Sequence, residues 1–249
     1  MSGKRLQGRI ALVTGASRGI GAAVAKAYAA EGAHVIALAR TQGGLEELDD
    51  AIRVEGGTAT LVTMDLTDHA AIDDLGRQIH ERWGRLDILV GNAAMLGDLT
   101  PVHHIDPKVW DKALALNVTA NARLIRACDP LFRASDAARV VFVTSGATRS
   151  LRPFWGIYAA SKAALEALAV IYAREVEKAG IGVNLLNPGA TRTGMRASAF
   201  PGEDPETLPP PEHLAETLIR LAEPAFKGTG LWVAADMQTQ PIPDSATRH

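Results

Sequence analysis

Cysteine is almost missing from this chain: Cys128 is the single one in 249 residues, so no internal disulfide can form. Its setting in an apolar-periodic stretch reads as a buried thiol, which fits a reducing compartment. An excess of one charge is missing too. The 26 basic and 28 acidic residues are interspersed and leave a formal charge of −2, which offers no cationic field to nucleic acid or an acidic membrane. No unbroken apolar run reaches the roughly 18 residues of a membrane span, and the polar start, residues 1–9, has no signal-peptide core. The expectation is a soluble, cytoplasmic protein acting on a small molecule. Metal ligation is not expected either, because the adjacent His103 and His104 point in different directions and no carboxylate cluster accompanies them.

What is present is alternation. Apolar runs suited to buried strands fall at about 10–14, 34–39, 58–64, 86–91, 140–144, 182–187 and 231–234. Helical periods lie between them at 19–31, 45–54, 69–83, 107–132, 156–179 and 212–222. The order predicts one α/β domain over residues 1–249, a Rossmann-like, doubly wound, seven-stranded parallel sheet with helices on both faces. Asp68 and Asp106 stand where helix N-caps belong, the latter followed by Pro107. Residues 189–211, rich in proline and glycine, break the rhythm and read as a lid; residues 238–249 read as a loose tail.

Two stretches carry chemistry. Tyr158-Ala159-Ala160-Ser161-Lys162 sets a phenol and an ammonium four residues apart, which a helix brings together. A phenol acting as acid or base near neutrality needs its pKa of about 10 lowered by about 3 units, or about 4 kcal/mol. An ammonium about 4 Å away is worth that order at an effective dielectric of about 20. Chance alone gives such a pair in about one chain in twelve of this composition, so its company decides the matter. The second stretch, Thr14-Gly15-Ala16-Ser17-Arg18-Gly19-Ile20-Gly21, follows the first strand and opens the first helix. Gly15 permits the turn, Gly19 the approach of a pyrophosphate and Gly21 close helix packing, while the helix N-terminus faces the anion. The second strand ends on Arg40, not on the carboxylate that would hold ribose hydroxyls, and with Arg18 it favours NADP(H) over NAD(H). Asp65, after the third strand, suits either an adenine amino group or the cap of the next turn.

With both stretches in place the chain resembles the short-chain dehydrogenase/reductase family from about Gly8 to Met195. Asn92-Ala93-Ala94, Asn117, Ser145 thirteen residues before Tyr158, and Pro188-Gly189 carry the likeness further. The resemblance implies an oxidoreductase that interconverts a ketone and a secondary alcohol, with Tyr158 as general acid/base. Lys162 would lower the phenol's pKa and hold the nicotinamide ribose, Ser145 would bind the reacting oxygen, and Asn117 would place a relay water. It also implies cofactor contacts from Gly15, Ser17, Arg18, Gly19, Ile20, Gly21, Arg40, Asp65, Leu66, Asn92, Ala93, Tyr158, Lys162, Pro188, Gly189, Thr191 and Thr193. Substrate contacts are expected from Ser145, Tyr158, Met95, Arg152, Trp155 and Met195, with Leu96, Arg149 and Phe200 nearby; the two arginines suit either an anionic substrate or solvent.

The resemblance further implies a homodimer or homotetramer joined through 107–132 and 156–179. Two departures stand out: the family's usual Asn-Asn-Ala-Gly ending of strand four is Gly91-Asn92-Ala93-Ala94 here, and its glycine-rich ending after the last strand is replaced by Ala234-Ala235-Asp236-Met237. Two alternatives are a 3-oxoacyl-carrier-protein reductase and a nucleotide-sensing scaffold. The first needs basic docking residues where Asp136 and Ala179 stand, and the second is marked by loss of the Tyr or Lys, both of which are kept.

Overall fold

The computed structural model describes residues 3–241. Its strands are β1 (Ile10–Thr14), β2 (His34–Ala39), β3 (Thr58–Thr63), β4 (Ile88–Gly91), β5 (Arg139–Val143), β6 (Gly182–Asn187), β7 (Leu231–Ala234) and β8 (Thr239–Pro241), in the sheet order β3-β2-β1-β4-β5-β6-β7-β8. The first seven run parallel, as expected from the helix between each pair. β1 and β5 are buried at every position, which is what an unbroken apolar run in a sheet covered on both faces requires.

Helices α1 (Gly19–Ala30), α2 (Gln42–Val54), α3 (His69–Trp83), α4 (Pro107–Leu114), α5 (Ala120–Arg133), α6 (Ala147–Ser150), α7 (Gly156–Val176), α8 (Gly194–Ala199) and α9 (Ala215–Ala222) complete the fold. One apolar cluster joins α3, α5 and α7 to the sheet through Ile72, Leu124, Cys128 and Leu165; a second joins α1, α2 and α9 to the other face through Val24, Leu45 and Leu218. Burial pushes the Cys128 thiol up to about 12, so it is a packing residue. Asp68 caps α3 by accepting from Ala71 N at 3.3 Å, and Asp106 caps α4 by accepting from Lys108 N at 2.7 Å. By length and hydropathy alone, residues 156–179 could cross a bilayer, but 61 % of that window is buried in the protein as a core helix must be.

Four expectations change. Helix 107–132 is two helices joined by a π turn, Ala115–Thr119. Residues 189–211 are not simply loop: Thr193 Oγ1 accepts from Arg196 N to cap α8, and Asp204 accepts from Glu206 N to start a short 3₁₀ turn. The 212–222 helix begins as a 3₁₀ turn at Pro211. The expected tail contributes β8, which pairs antiparallel with β7 through Val233 and Thr239, because Asp236 accepts from Gln238 N and Met237 takes a left-handed φ of 65°, closing a tight turn. The rest of that tail, 242–249, lies outside the described residues.

The end of β4 explains the first departure from the family pattern. A Cβ on Gly91 would collide with the Phe142 ring of β5 and come within 2.8 Å of Asn121 Oδ1, so the phenyl ring fills the space a side chain would take. Overpacking of this kind costs about 1–3 kcal/mol. Gly91→Asn is expected to lower the urea midpoint accordingly, and Phe142→Val in the same chain to recover part of the loss; additive effects in that double-mutant cycle would refute the coupling.

Candidate active site

The strand order reverses between β1 and β4, and a cleft of about 560 Å³ opens there along the carboxyl ends of the strands. Thr14 and Asn92 hold its two walls together. The Thr14 hydroxyl donates to Val90 O and accepts from Asn92 N and Ala93 N, while Asn92 Nδ2 donates to Thr14 O at 2.9 Å. Every polar atom of the Thr14 side chain is thus used to fix the mouth of the cleft.

Gly15 and Gly19 adopt left-handed φ values of 68° and 57°, and a Cβ on Gly21 would run into Gly15 O, so the loop and α1 can pack this closely only as glycine. Ser17, Arg18 and Ile20 line the cleft beside Gly15 and Gly19. Along the same wall lie Arg40, Leu66, Asn92 and Ala93, and opposite them Pro188, Gly189, Thr191 and Thr193. Arg40 is largely exposed and only loosely paired, 3.8 Å from Asp65 Oδ2. Asp65 does not line the cleft: its Oδ1 accepts from Thr67 N at 2.9 Å and Thr67 Oγ1 at 2.8 Å, and these bonds hold its pKa below the usual carboxylate range. It is a turn-capping residue here.

At the floor of the cleft, α7 carries the phenol and the ammonium on one face. Tyr158 is 8 % exposed and Lys162 2 %. Ser145, just past β5, lies beside the phenol in the cleft lining. Lys162 Nζ donates to Val143 O at 2.7 Å and sits 5.8 Å from the Tyr158 ring centre. Burial dominates both groups: it pushes the phenol up to about 12, which Ser145 opposes, and the ammonium down to about 8, which Glu166 opposes. The phenol pKa is therefore raised, not lowered, because desolvation outweighs any help from Lys162 in this arrangement. The pair stands as a neutral acid beside a cation, the protonation state of a proton donor.

Asn117 lies in the π turn, and both amide hydrogens and the carbonyl oxygen of its side chain make bonds. Its Oδ1 accepts from Met95 N, and its two amide hydrogens go to Met95 O and Ser161 Oγ, each at 2.9 Å. Ser161 Oγ in turn donates to Tyr158 O. Asn117 thus ties the β4 exit to α7. Sequence reading gave no signal for this brace, since a π turn has no composition of its own.

On the substrate side the cleft is lined by Leu96, Trp155, Met195, Arg196 and Ala199. Trp155 meets Tyr158 edge-on, with ring centres 6.1 Å apart, and Phe200 packs on Trp155 at 5.6 Å. Met95 and Arg152, expected as substrate contacts, are not in the lining: Met95 is held by its backbone to Asn117, and Arg152 is exposed. Arg149 does not face the cleft either but binds Glu166 Oε2 at 2.8 Å. Thr14, Ser161, Glu166, Arg196 and Ala199 were given no role from the sequence.

The depressed pKa of Lys162 has a stability consequence. Below about pH 8 the folded protein carries a buried charge at a cost of up to about 3 kcal/mol, and this cost fades as pH rises toward 10.5, where the unfolded chain also loses the proton. Lys162→Met is expected to raise the melting temperature by several degrees at pH 6–7, with the gain shrinking by pH 10. An unchanged or lower melting temperature at pH 6–7 would contradict the cost.

Comparison with known proteins agrees with this geometry. The family model for short chain dehydrogenases matches residues 9–204. The uncharacterized oxidoreductase YciK of Escherichia coli K12 is 38 % identical over 240 residues, 95 % of each chain. The 3-oxoacyl-[acyl-carrier-protein] reductase FabG of the same organism is 34 % identical over 189 residues, 76 % of each. A short chain dehydrogenase from Shigella flexneri 2a, solved in complex with NADP, superposes with a TM-score of 0.90 at 38 % identity, covering 94 % of this chain and all of that one. With a Tyr and a Lys at the floor of a glycine-walled cleft, and relatives matched along nearly the whole length, the chain belongs to the short-chain dehydrogenase/reductase family of NAD(P)-dependent oxidoreductases.

Proposed function

We propose that this protein interconverts a ketone and a secondary alcohol with NADP(H), and that Tyr158 is the group that gives or takes the proton. The observation that carries the reading is the buried phenol beside Ser145, one helical turn from the Lys162 ammonium and facing the cleft. The cleft suits a dinucleotide: the glycine turn leaves room for a diphosphate at the α1 N-terminus, and Arg40 is free to leave its 3.8 Å partner for a 2′-phosphate. The NADP complex of the Shigella relative supports the same choice. Bound there, the nicotinamide supplies or accepts the hydride.

The chain's own residues do the rest. Ser145 orients the reacting oxygen against the phenol, Tyr158 releases its proton to that oxygen in the reducing direction, and Lys162 offsets the phenolate charge that results. Two of the three Lys162 donors remain beyond the Val143 bond to hold ribose hydroxyls. The substrate wall favours an uncharged carbonyl flanked by apolar groups, because the arginine that lines it, Arg196, is already paired with Glu203 at 2.5 Å. A carrier-protein reductase is not favoured, since Asp136, at the docking position, is acidic and bound to Arg9. The segment from Thr193 to Phe200, resting on Trp155, serves as the lid.

Screening NADPH oxidation against neutral aryl and alkyl ketones, 2-oxo acids and sugar phosphates is expected to find turnover with the first group. Tyr158→Phe should lower kcat by about 10²–10⁴ with NADPH still bound. Arg40→Ala should weaken NADPH by about tenfold or more and leave NADH unchanged. Normal turnover by Tyr158→Phe would end the acid/base reading, and tighter binding of NADH would end the cofactor reading. A second copy against α5 and α7 belongs to this proposal, since α7 leaves Ala160, Ala163, Ala164, Ala167 and Ile171 exposed at helical spacing; a monomeric mass by light scattering would refute it.

A further inference from the structure

Glu166 follows Lys162 by one turn of α7 and Tyr158 by two, so all three share a helix face. Its side chain is buried, and it does not line the cleft. Four donors converge on its carboxylate. Oε1 accepts from Thr144 Oγ1 at 2.5 Å, Thr148 Oγ1 at 2.8 Å and Trp232 Nε1 at 3.3 Å, and Oε2 accepts from Arg149 Nη1 at 2.8 Å. Three of these donors bracket Ser145 in sequence, Thr144 just before it and Thr148 and Arg149 just after. Thr148 Oγ1 also stands 2.9 Å from Ser145 O.

A carboxylate taken out of water is costly unless cations and donors replace its solvation, and here they do so completely. Packing alone would be served at this position by an apolar side chain. The charged or titratable groups around Lys162 are Tyr158 and Glu166 on its own helix and Arg149, held against Glu166 from α6. β5 contributes the Val143 carbonyl, the residue after it the Thr144 hydroxyl, and β7 the Trp232 indole.

We propose that Glu166 is a positioning residue for the reaction, a fixed anion that keeps Lys162 an ammonium and fastens the segment carrying Ser145 to the helix carrying the phenol. This rests on Tyr158 and Lys162 acting as described above. The direction of the Lys162 titration agrees: burial drives the ammonium down, and Glu166 is the carboxylate that opposes it. Without the anion, Lys162 would lose its proton at a lower pH, and with it the charge that holds the ribose and offsets a phenolate.

The test is the pH dependence of NADPH affinity, from pH 7 to 10, on the full chain and four variants. Glu166→Gln keeps an oxygen for Thr144, Thr148 and Trp232 but removes the charge. Its affinity at pH 7 should stay within about threefold of the parent, while the pH at which affinity begins to fall moves down by about one unit. Arg149→Met removes the cation facing Glu166 and should move that fall upward. Lys162→Met should flatten the profile, and Tyr158→Phe should bind NADPH without turning over a ketone. Profiles of Glu166→Gln and Arg149→Met that superpose on the parent would leave Glu166 a structural carboxylate and overturn the proposal. An unflattened profile in Lys162→Met, or full turnover in Tyr158→Phe, would instead remove the reading on which it rests. Should Glu166→Gln fail to fold, Arg149→Met decides alone: its side chain is half exposed, an upward shift supports the anion, and no shift overturns it.

Discussion

A charge held almost entirely out of solvent organises this protein. The Lys162 ammonium is carried inward by α7 as that helix packs on the sheet, and the surroundings are arranged to make the burial tolerable. β5 ends so that the Val143 carbonyl meets the ammonium, and the chain then turns through Ser145 against the phenol. Desolvation draws the ammonium's pKa down, and Glu166, one turn along the helix, opposes it. The glycine loop and Arg40 line one part of the cleft, and the buried cation lies at its floor.

The layered fold was legible because its signals are local and repeated. Continuous apolar runs became buried strands, helical periods became the covering layers, and Asp68 and Asp106 cap the helices they precede. The glycine turn and the Tyr158/Lys162 spacing were equally plain, since both are fixed within one turn or one helix. What the sequence hid depends on long-range contacts or on competition between effects. Asp65 goes to Thr67 because an Asx turn offers an N–H and a hydroxyl only two residues away. Arg152 reaches solvent and Arg149 turns to Glu166, a choice set by a carboxylate seventeen residues further on. The raised phenol pKa escaped because spacing measures Coulomb attraction and says nothing of desolvation. β8 escaped because three residues closing a hairpin carry no periodicity.

The departures from the family pattern are local exchanges. Gly91 gives up a side chain and Phe142 occupies its space, while Asn92 keeps the bonds that close the cleft mouth. After β7 the chain folds back as a strand, so the sheet ends on an antiparallel edge whose last residue, Pro241, has no N–H to offer a further strand.

The π turn at Ala115–Thr119 has a mechanical meaning beyond its hydrogen bonds. A turn of that kind accommodates one residue more than an α-helix would, and one residue is a rotation of about 100° about the helix axis. α4 and α5 are therefore two segments of one rod set out of phase, like a shaft with an offset key. α5 can seat Leu124 and Cys128 on the sheet while the offset itself presents Asn117 to Met95 and Ser161. Removing a single residue there would let the rod straighten without losing length elsewhere, and would turn either the core face or the brace away from its partner.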